Sequence, residues 1–431
     1  MSRSAGVVLL VALAARLVYV GADIEVPPQD TPDYDEIAMN LLAGEGFVSH
    51  DTFFGYPMRS WRAPLYPTML AAIYGIFGVH HGVVLLIQAL IGAWTAVGIL
   101  HLARWLHPPS ALLTALLVAL YPPLIANAAE VMTETLFTAL LVAGAGMGLR
   151  LSNRLGWWGA GLLIALATLT RPVGLLLAPA LFLPPLWVAT RGALADPSRL
   201  TWQSQTWPAA VSRAGWILAG LLMGLAPWTI RNAQVHGAFV PVSTHAGFIL
   251  ARSNADDPDW RRQDGWQIRP EVFARIPNEV ERDRAWRAQG KAWIVDHPTQ
   301  WLRWVTERFL RFWYVFRPDY NIGFVLVLPL MLVGVFRVGW SPPYRELSLF
   351  AGLSIFLFST LLYGSTRFRL PLEPFFLLYA GPALHAAWQS PRRRTWLGAC
   401  AAWATVHTLI WWQQDAIRMM IVSWLTSSGL K

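Results

Sequence analysis

The chain alternates long apolar runs with short polar breaks over most of its length. The runs fall at 5–20, 81–103, 110–128, 131–149, 156–171, 173–190, 214–230, 321–339, 346–363, 372–388 and 395–412. Most approach the roughly 20 residues that an α-helix needs to cross a hydrocarbon core about 30 Å thick. The pattern predicts an all-α, polytopic transmembrane bundle of about 11 helices, since a helix satisfies its backbone polar groups within one span. Two stretches break the rhythm, 21–80 and 233–320. They read as large outer loops of one integral membrane unit covering 1–431.

Charge sets the expected orientation. Arg104, Arg150 with Arg154, then Arg191, Arg199 and Arg213, Arg337 with Arg345, and Arg392 to Arg394 fall on one side, which should be cytoplasmic. The long loops are exempt from that bias and lie outside, where most chemistry is expected. The first run follows Arg3 and contains Arg16, so it reads as a retained signal anchor in preference to a cleaved leader. Within the second loop, 279–313 carries Trp286, Trp293, Trp301, Val305 and Phe309 at helical spacing among arginines. It predicts an amphipathic helix at the membrane interface, or two broken at Pro298, serving as an anchor or as a platform for an amphiphilic substrate.

Composition narrows the class. Charged residues are 14 % of the chain and hydrophobic residues 55 %, against about 25 % charged in a soluble domain, which argues against a soluble enzyme. The single cysteine, Cys400, rules out an internal disulfide framework and a cysteine zinc site. The net charge of +9 is almost wholly arginine, with Lys291 and Lys431 the two lysines. No basic run resembles a nucleic-acid-binding arm, so the excess points to topology and lipid contact.

Candidate chemistry gathers in the outer segments. Asp30, Asp33, Asp35 and Glu36 place four acids within seven residues. Pro32 suits the first turn of a helix, with Asp30 or Thr31 as its cap and Ile37, Leu41 and Leu42 on one face. Such acids are also what the helix dipole favours at an N-terminus. Arg59 and Arg62, with Tyr56 and Tyr66, lie in a proline-rigid segment suited to a lipid-linked phosphate or to headgroups. Glu134 and Arg171 are ionisable groups at outer ends of spans, placed to pair with each other or to line a cavity. Arg231 follows Trp228 at the exit of a span, where anchoring and phosphate binding are both open. Arg367 and Arg369 break the charge rule in a short outer turn, which favours contact with an anionic substrate group. His50, His80, His81, His245 and His297 are scattered; no metal site or certain cofactor is predicted, and a divalent metal stays open.

These segments carry a resemblance. Asp30-x-x-x-Tyr34-x-x-Ile37-Ala38 with Asn40 to Phe47, then Arg62-Ala63-Pro64-Leu65-Tyr66-Pro67, resembles the first periplasmic loop of the glycosyltransferase family 39 group. That group includes protein O-mannosyltransferases and lipid A aminoarabinose transferases. The likeness continues through Thr133-Glu134, Thr170-Arg171-Pro172, Pro227 to Asn232, Asp296-His297-Pro298 and Tyr363 to Pro371. It implies the C-type membrane glycosyltransferase fold, a polyprenyl-phosphate sugar donor, membrane lipid as partner and a glycolipid, polysaccharide or other envelope acceptor at the outer face of a bacterial inner membrane. Asp30 takes the position of the catalytic acid and Glu134 that of a second acid. Tyr34, Arg62, Tyr66 and Arg171 are then substrate-binding candidates, Arg62 and Arg171 near the lipid phosphate. The chain departs at Asp30-Thr31, where O-mannosyltransferases have paired acids, which weakens a case for protein O-mannosylation.

The implied chemistry suits these groups. The phosphate leaving group needs charge neutralisation, which arginine supplies, and the acceptor hydroxyl needs a base within about 2.6–3.2 Å. One displacement with one base inverts the anomeric centre. A transporter or flippase for a lipid-linked saccharide is the alternative, with charges threading both membrane halves; a scaffold subunit would not depend on Asp30.

Overall fold

The computed structural model describes residues 2–22, 31–50, 55–195, 207–256, 258, 276–313, 315, 321–361, 366–413, 416 and 419–420. In chain order the helices are α1 (Arg3–Gly21), α2 (Thr31–Ala43), α3 (Leu65–Phe77), α4 (His81–Leu106), α5 (Ala111–Ala119), α6 (Pro122–Ala128), α7 (Glu134–Arg150), α8 (Arg154–Thr170) and α9 (Leu177–Ala195). There follow α10 (Trp207–His236), α11 (Ala246–Ser253), α12 (Glu279–Asp296), α13 (Pro298–Phe312), α14 (Ile322–Val338), α15 (Tyr344–Leu361), α16 (Thr366–Arg369), α17 (Glu373–Gln389) and α18 (Arg393–Trp412). A two-stranded antiparallel ladder, β1 (Ser49–His50) with β2 (Pro57–Met58), pairs Ser49 with Met58.

Among the described residues each apolar run of the sequence lies mostly in helix. Among the described residues α1, α4 and α10 are each long and apolar enough to cross a membrane, and the pair 108–119 and 122–128 qualifies together, bent by 46°. By length and composition that is three spans, or four with the bent pair, against the eleven expected. Several of the others, such as α7, α8 and α17, stop at 17 residues.

The bend has a local cause. Pro123 has no N–H to give the Ala119 carbonyl four residues before it, so that acceptor is orphaned inside an apolar bundle. Arg16 of α1 fills the gap, donating from Nη1 to the carbonyls of Ala119 at 3.1 Å and Ala12 at 2.9 Å. Its guanidinium passes over Gly92 of α4, where a Cβ would stand 2.5 Å from Nε. The arginine that reads in sequence as an interruption of a signal-like run therefore completes the backbone of another helix.

The main core joins α1, α4 to α10, α14, α15 and α17. α8 lies along α10 at backbone distance: a Cβ on Gly161 would stand 1.9 Å from the Ile217 carbonyl oxygen, and one on Gly220 2.0 Å from that of Trp158. Small residues allow this approach where lipid offers no hydrophobic drive between helices.

The described residues of the two long breaks, 21–80 and 233–320, are largely helical too. α2 and α3 pack on the start of α4 and on Val131 and Met132 through Tyr34, Ala38, Tyr66, Leu70, Ile73 and Tyr74. Leu42, expected on that face, is exposed, and Tyr34, Ile37 and Ala38 take the buried positions. Thr31 is the first residue of α2, and its hydroxyl donates to the Val131 carbonyl at 3.1 Å, so it ties two segments together and does not cap the helix. α2 ends on Gly44 at φ 82°, with Glu45 N–H on Asn40 O and Gly44 N–H on Leu41 O, a left-handed stop suited to glycine. Of the two forms expected over 279–313, the broken one is found: α12 and α13 meet at His297-Pro298. α13 buries Trp304, Arg308 and Phe312 on one face and exposes Leu302, Phe309 and Leu310. Trp61 packs edge-on against Phe248 and at a tilt against Trp286, joining the first loop to the second.

Gly220→Val should splay α8 from α10 at a cost of about 1–3 kcal/mol. A lower thermal midpoint in detergent is expected, whereas Gly215→Ala on the same helix, where a Cβ meets nothing within 4 Å, does not lower it.

Candidate active site

Pro172 disfavours helical backbone at the residue before it, so Arg171 is extended, at φ −141° and ψ 122°, and ends α8. That turn carries the Arg171 side chain to Glu134, the first residue of α7. Glu134 is fully buried. Its Oε1 pairs with Arg171 Nη1 and also accepts from Arg367 Nε at 2.5 Å, and its Oε2 accepts from the Thr133 hydroxyl at 3.1 Å. Arg171 Nη1 donates further to that hydroxyl at 3.2 Å, and the guanidinium lies 6.0 Å from the Phe137 ring and 5.7 Å from that of Phe368. One carboxylate thus holds two cations from sites 37 and 233 residues away in the chain. Two such neighbours favour its ionised form.

A second network approaches the same turn from the first outer loop. Arg62 donates to Asp33 Oδ2 from Nε at 2.9 Å and Nη2 at 2.6 Å and lies 5.4 Å from the Tyr34 ring. Tyr34 meets Tyr66 edge-on at 5.2 Å. The Tyr66 hydroxyl donates to Gln88 Oε1 at 2.8 Å, and Gln88 Nε2 donates to the Glu130 carbonyl at 2.6 Å and that of Ala128 at 3.2 Å. With the Thr31 bond to Val131, this chain of contacts fixes the start of α2 against the turn that bears Glu130 and Glu134. Asp30 itself lies outside the described residues.

Other expected site residues stand elsewhere. Arg231 donates from Nη1 to the Arg59 carbonyl at 2.6 Å, Ser60 Oγ at 3.1 Å and Asn232 Oδ1 at 3.0 Å, and from Nη2 to the Phe47 carbonyl at 3.2 Å. It also sits 4.5 Å from the Trp228 ring. Glu279 accepts the N–H of Arg59 at 2.8 Å and of Ser60 at 3.3 Å, and the Thr244 hydroxyl at 3.0 Å, so Arg59 enters this junction through its backbone. Arg369 is fully buried. It pairs with Glu373 at 2.6 Å, donates to Asn321 Oδ1 at 2.6 Å and the Phe312 carbonyl at 3.0 Å, and lies on the Phe324 ring at 3.6 Å. Arg367 and Arg369, grouped by sequence, therefore serve different partners. In α2, Asp35 accepts from the Tyr74 hydroxyl at 2.6 Å and faces His81 at 2.8 Å, while Glu36 faces His50 at 2.7 Å. Among the described residues no three His, Cys, Asp or Glu side chains converge as metal ligands.

Sequence reasoning missed Glu130. It lies in the turn between α6 and α7, partly buried, and burial together with the Glu134 charge raises its pKa to about 7 against the opposing pull of Arg367. The signal was present, since an acid at a span boundary is costly wherever it falls, but Glu130 sits one turn from Glu134, which drew the attention.

Comparison with known proteins follows this geometry. Residues 61–204, a third of the chain, match the family model described as dolichyl-phosphate-mannose-protein mannosyltransferase. The oligosaccharyltransferase AglB of Archaeoglobus fulgidus, solved with an inhibitory peptide and a dolichol-phosphate, superposes with a TM-score of 0.59 at 12 % identity over 95 % of this chain and 54 % of its own. A second structure of an oligosaccharyltransferase from that organism, with zinc and sulfate, gives 0.57 at 13 % identity over 96 % and 52 %. ArnT of Cupriavidus metallidurans, bound to undecaprenyl phosphate, gives 0.50 at 17 % identity over 96 % and 62 %. The chain spans between half and two thirds of the length of these proteins. No curated protein sequence matches. The family likeness thus covers a third of the chain, and over nearly its whole length the fold is similar to that of these three solved structures.

Two stability measurements separate the acids. Glu134→Gln strands Arg171 and Arg367 and should cost about 3–5 kcal/mol, read as a lower thermal midpoint. Glu130 behaves oppositely. Between about pH 4.5 and 7 the folded protein holds this proton and the unfolded chain does not, so stability falls as pH rises through that window. Glu130→Gln should match the native midpoint at pH 4 and exceed it at pH 8.

Proposed function

We propose that this chain is an inverting membrane glycosyltransferase. It moves a sugar from a polyprenyl-phosphate donor to a hydroxyl of a glycolipid, polysaccharide or other envelope acceptor, at the periplasmic face of the inner membrane. The observation that carries this reading is the pairing of Arg171 and Arg367 on buried Glu134, next to the turn where α2 is tied by Thr31. Two cations held without rotamer freedom neutralise a departing phosphate at little reorganisation cost. The likeness in fold to proteins solved with dolichol-phosphate and undecaprenyl phosphate supports the donor class.

In the reaction the acceptor oxygen attacks the anomeric carbon from the side opposite the phosphate. The bond from that carbon to the phosphate oxygen breaks with its electron pair on phosphate, and the acceptor proton passes to Asp30. Arg62, oriented by Asp33 and Tyr34, assists phosphate binding, and Tyr66 holds the first loop against the turn. Glu134 acts by positioning Arg171 and Arg367. Arg231 and Arg59 shape the junction between the outer loops that the acceptor must pass.

Transfer of radiolabelled sugar from a panel of polyprenyl-phosphate sugars to membrane acceptors tests this. Asp30→Asn at matched expression should lower incorporation roughly 10²–10⁴-fold. Equal incorporation removes Asp30 as base. Absence of transfer by either form, with lipid-linked saccharide flipped in vesicles, favours the transporter.

A further inference from the structure

Arg308 is a charged group whose needs its surroundings do not meet. It lies midway along α13 with 1 % of its surface exposed. Among the described residues its Nε and Nη1 have no hydrogen-bond acceptor, and its Nη2 reaches Asn254 Oδ1 at a long 3.4 Å. Arg369, equally buried and close by, has a carboxylate, an amide oxygen and a carbonyl. Burial draws the Arg308 pKa down to about 10 with no acidic neighbour to offset it, so the side chain still carries its charge at neutral pH. A buried cation without an anion is costly, and polar groups left so in folded proteins call for an explanation.

Its position suggests the missing partner. Trp304, one turn before it, packs on Phe368 and donates Nε1 to the Ala255 carbonyl at 3.0 Å. Phe312, one turn after it, gives its carbonyl to Arg369. Arg308 therefore lies between two residues braced on α16, the element that brings Arg367 to Glu134, and faces the end of α11 at Asn254. The other side of α13 exposes Leu302, Phe309 and Leu310, as a helix does when it lies in the membrane interface, at the depth of lipid phosphates.

We propose that Arg308 is an anion-binding subsite for a lipid-borne phosphate group, mono- or diester, which takes the two idle donors and displaces the weak Asn254 contact. The subsite is distinct from the Arg171, Arg367 and Glu134 cluster. It rests on the reading that this chain handles lipid phosphates. Two sources share the chemistry, a polyprenyl phosphate and an ordinary anionic phospholipid.

The test measures affinity of the full-length protein in detergent for undecaprenyl phosphate, phosphatidylglycerol and inorganic phosphate, with thermal midpoints recorded without ligand. Arg308→Met should weaken lipid-phosphate binding at least tenfold without lowering the ligand-free midpoint, because an uncompensated buried charge is replaced by an apolar group of similar length. Asn254→Asp supplies a protein anion instead. It should raise the ligand-free midpoint and weaken binding, and it tests the idea even if Arg308→Met does not fold. Loss confined to undecaprenyl phosphate identifies the donor lipid as the source, and equal loss for phosphatidylglycerol identifies bulk headgroups. Unchanged affinity for both lipids in both variants, or a lowered midpoint of Arg308→Met with unchanged affinity, overturns the proposal. A protein that transfers no sugar yet loses phosphatidylglycerol binding in Arg308→Met loses the transferase reading and keeps the subsite.

Discussion

The pairing of Glu134 with Arg171 and Arg367 is the constraint on which the arrangement of α7, α8 and α16 depends. A carboxylate with no exposed surface persists inside a membrane bundle only if opposite charge meets it, and here two arginines do so from the ends of α8 and α16. The same contact pins those elements to the start of α7. Phe137 and Phe368 flank Arg171, so the guanidinium has apolar walls and a fixed direction. A turn that would otherwise carry loose cations becomes a preorganised electrostatic surface.

Around it the outer loops are held by polar contacts at their junctions and by aromatic packing between them. Glu279 accepts backbone N–H groups of the first loop, Arg231 binds carbonyls of the same loop, and Trp61 packs against Phe248 and Trp286 of the second. Each contact joins segments far apart in sequence and needs fixed backbone on both sides. The α8 and α10 crossing supplies such a base beneath them, since glycines bring the two backbones together.

Several ionisable residues turn out to serve backbone needs. Arg16 satisfies the Ala119 carbonyl that Pro123 leaves orphaned, and Arg231 spends its donors on loop carbonyls and neighbouring side chains. In an apolar surround an unmet carbonyl is as compelling a reason for an arginine as a substrate phosphate. Residue type and depth alone therefore overstate the number of arginines free to bind ligand.

The sequence by itself determined the all-α class, the position of each apolar helix, the break at Pro298 and the acidic start of α2, because these follow from hydrophobic period, proline geometry and helix-end electrostatics, all local. It also marked Glu134 and Arg171 as ionisable residues at span ends that suit each other. The choice of partners was left to tertiary structure. Arg367 and Arg369 look alike in sequence, yet residues two apart on a helix point in different directions, so one reaches Glu134 and the other Glu373. Glu130 keeps a partly exposed carboxyl beside Glu134, and Arg308 has no anion among the described residues, for the same reason: which charge meets which depends on distances between segments up to 233 residues apart, and no local pattern encodes those distances.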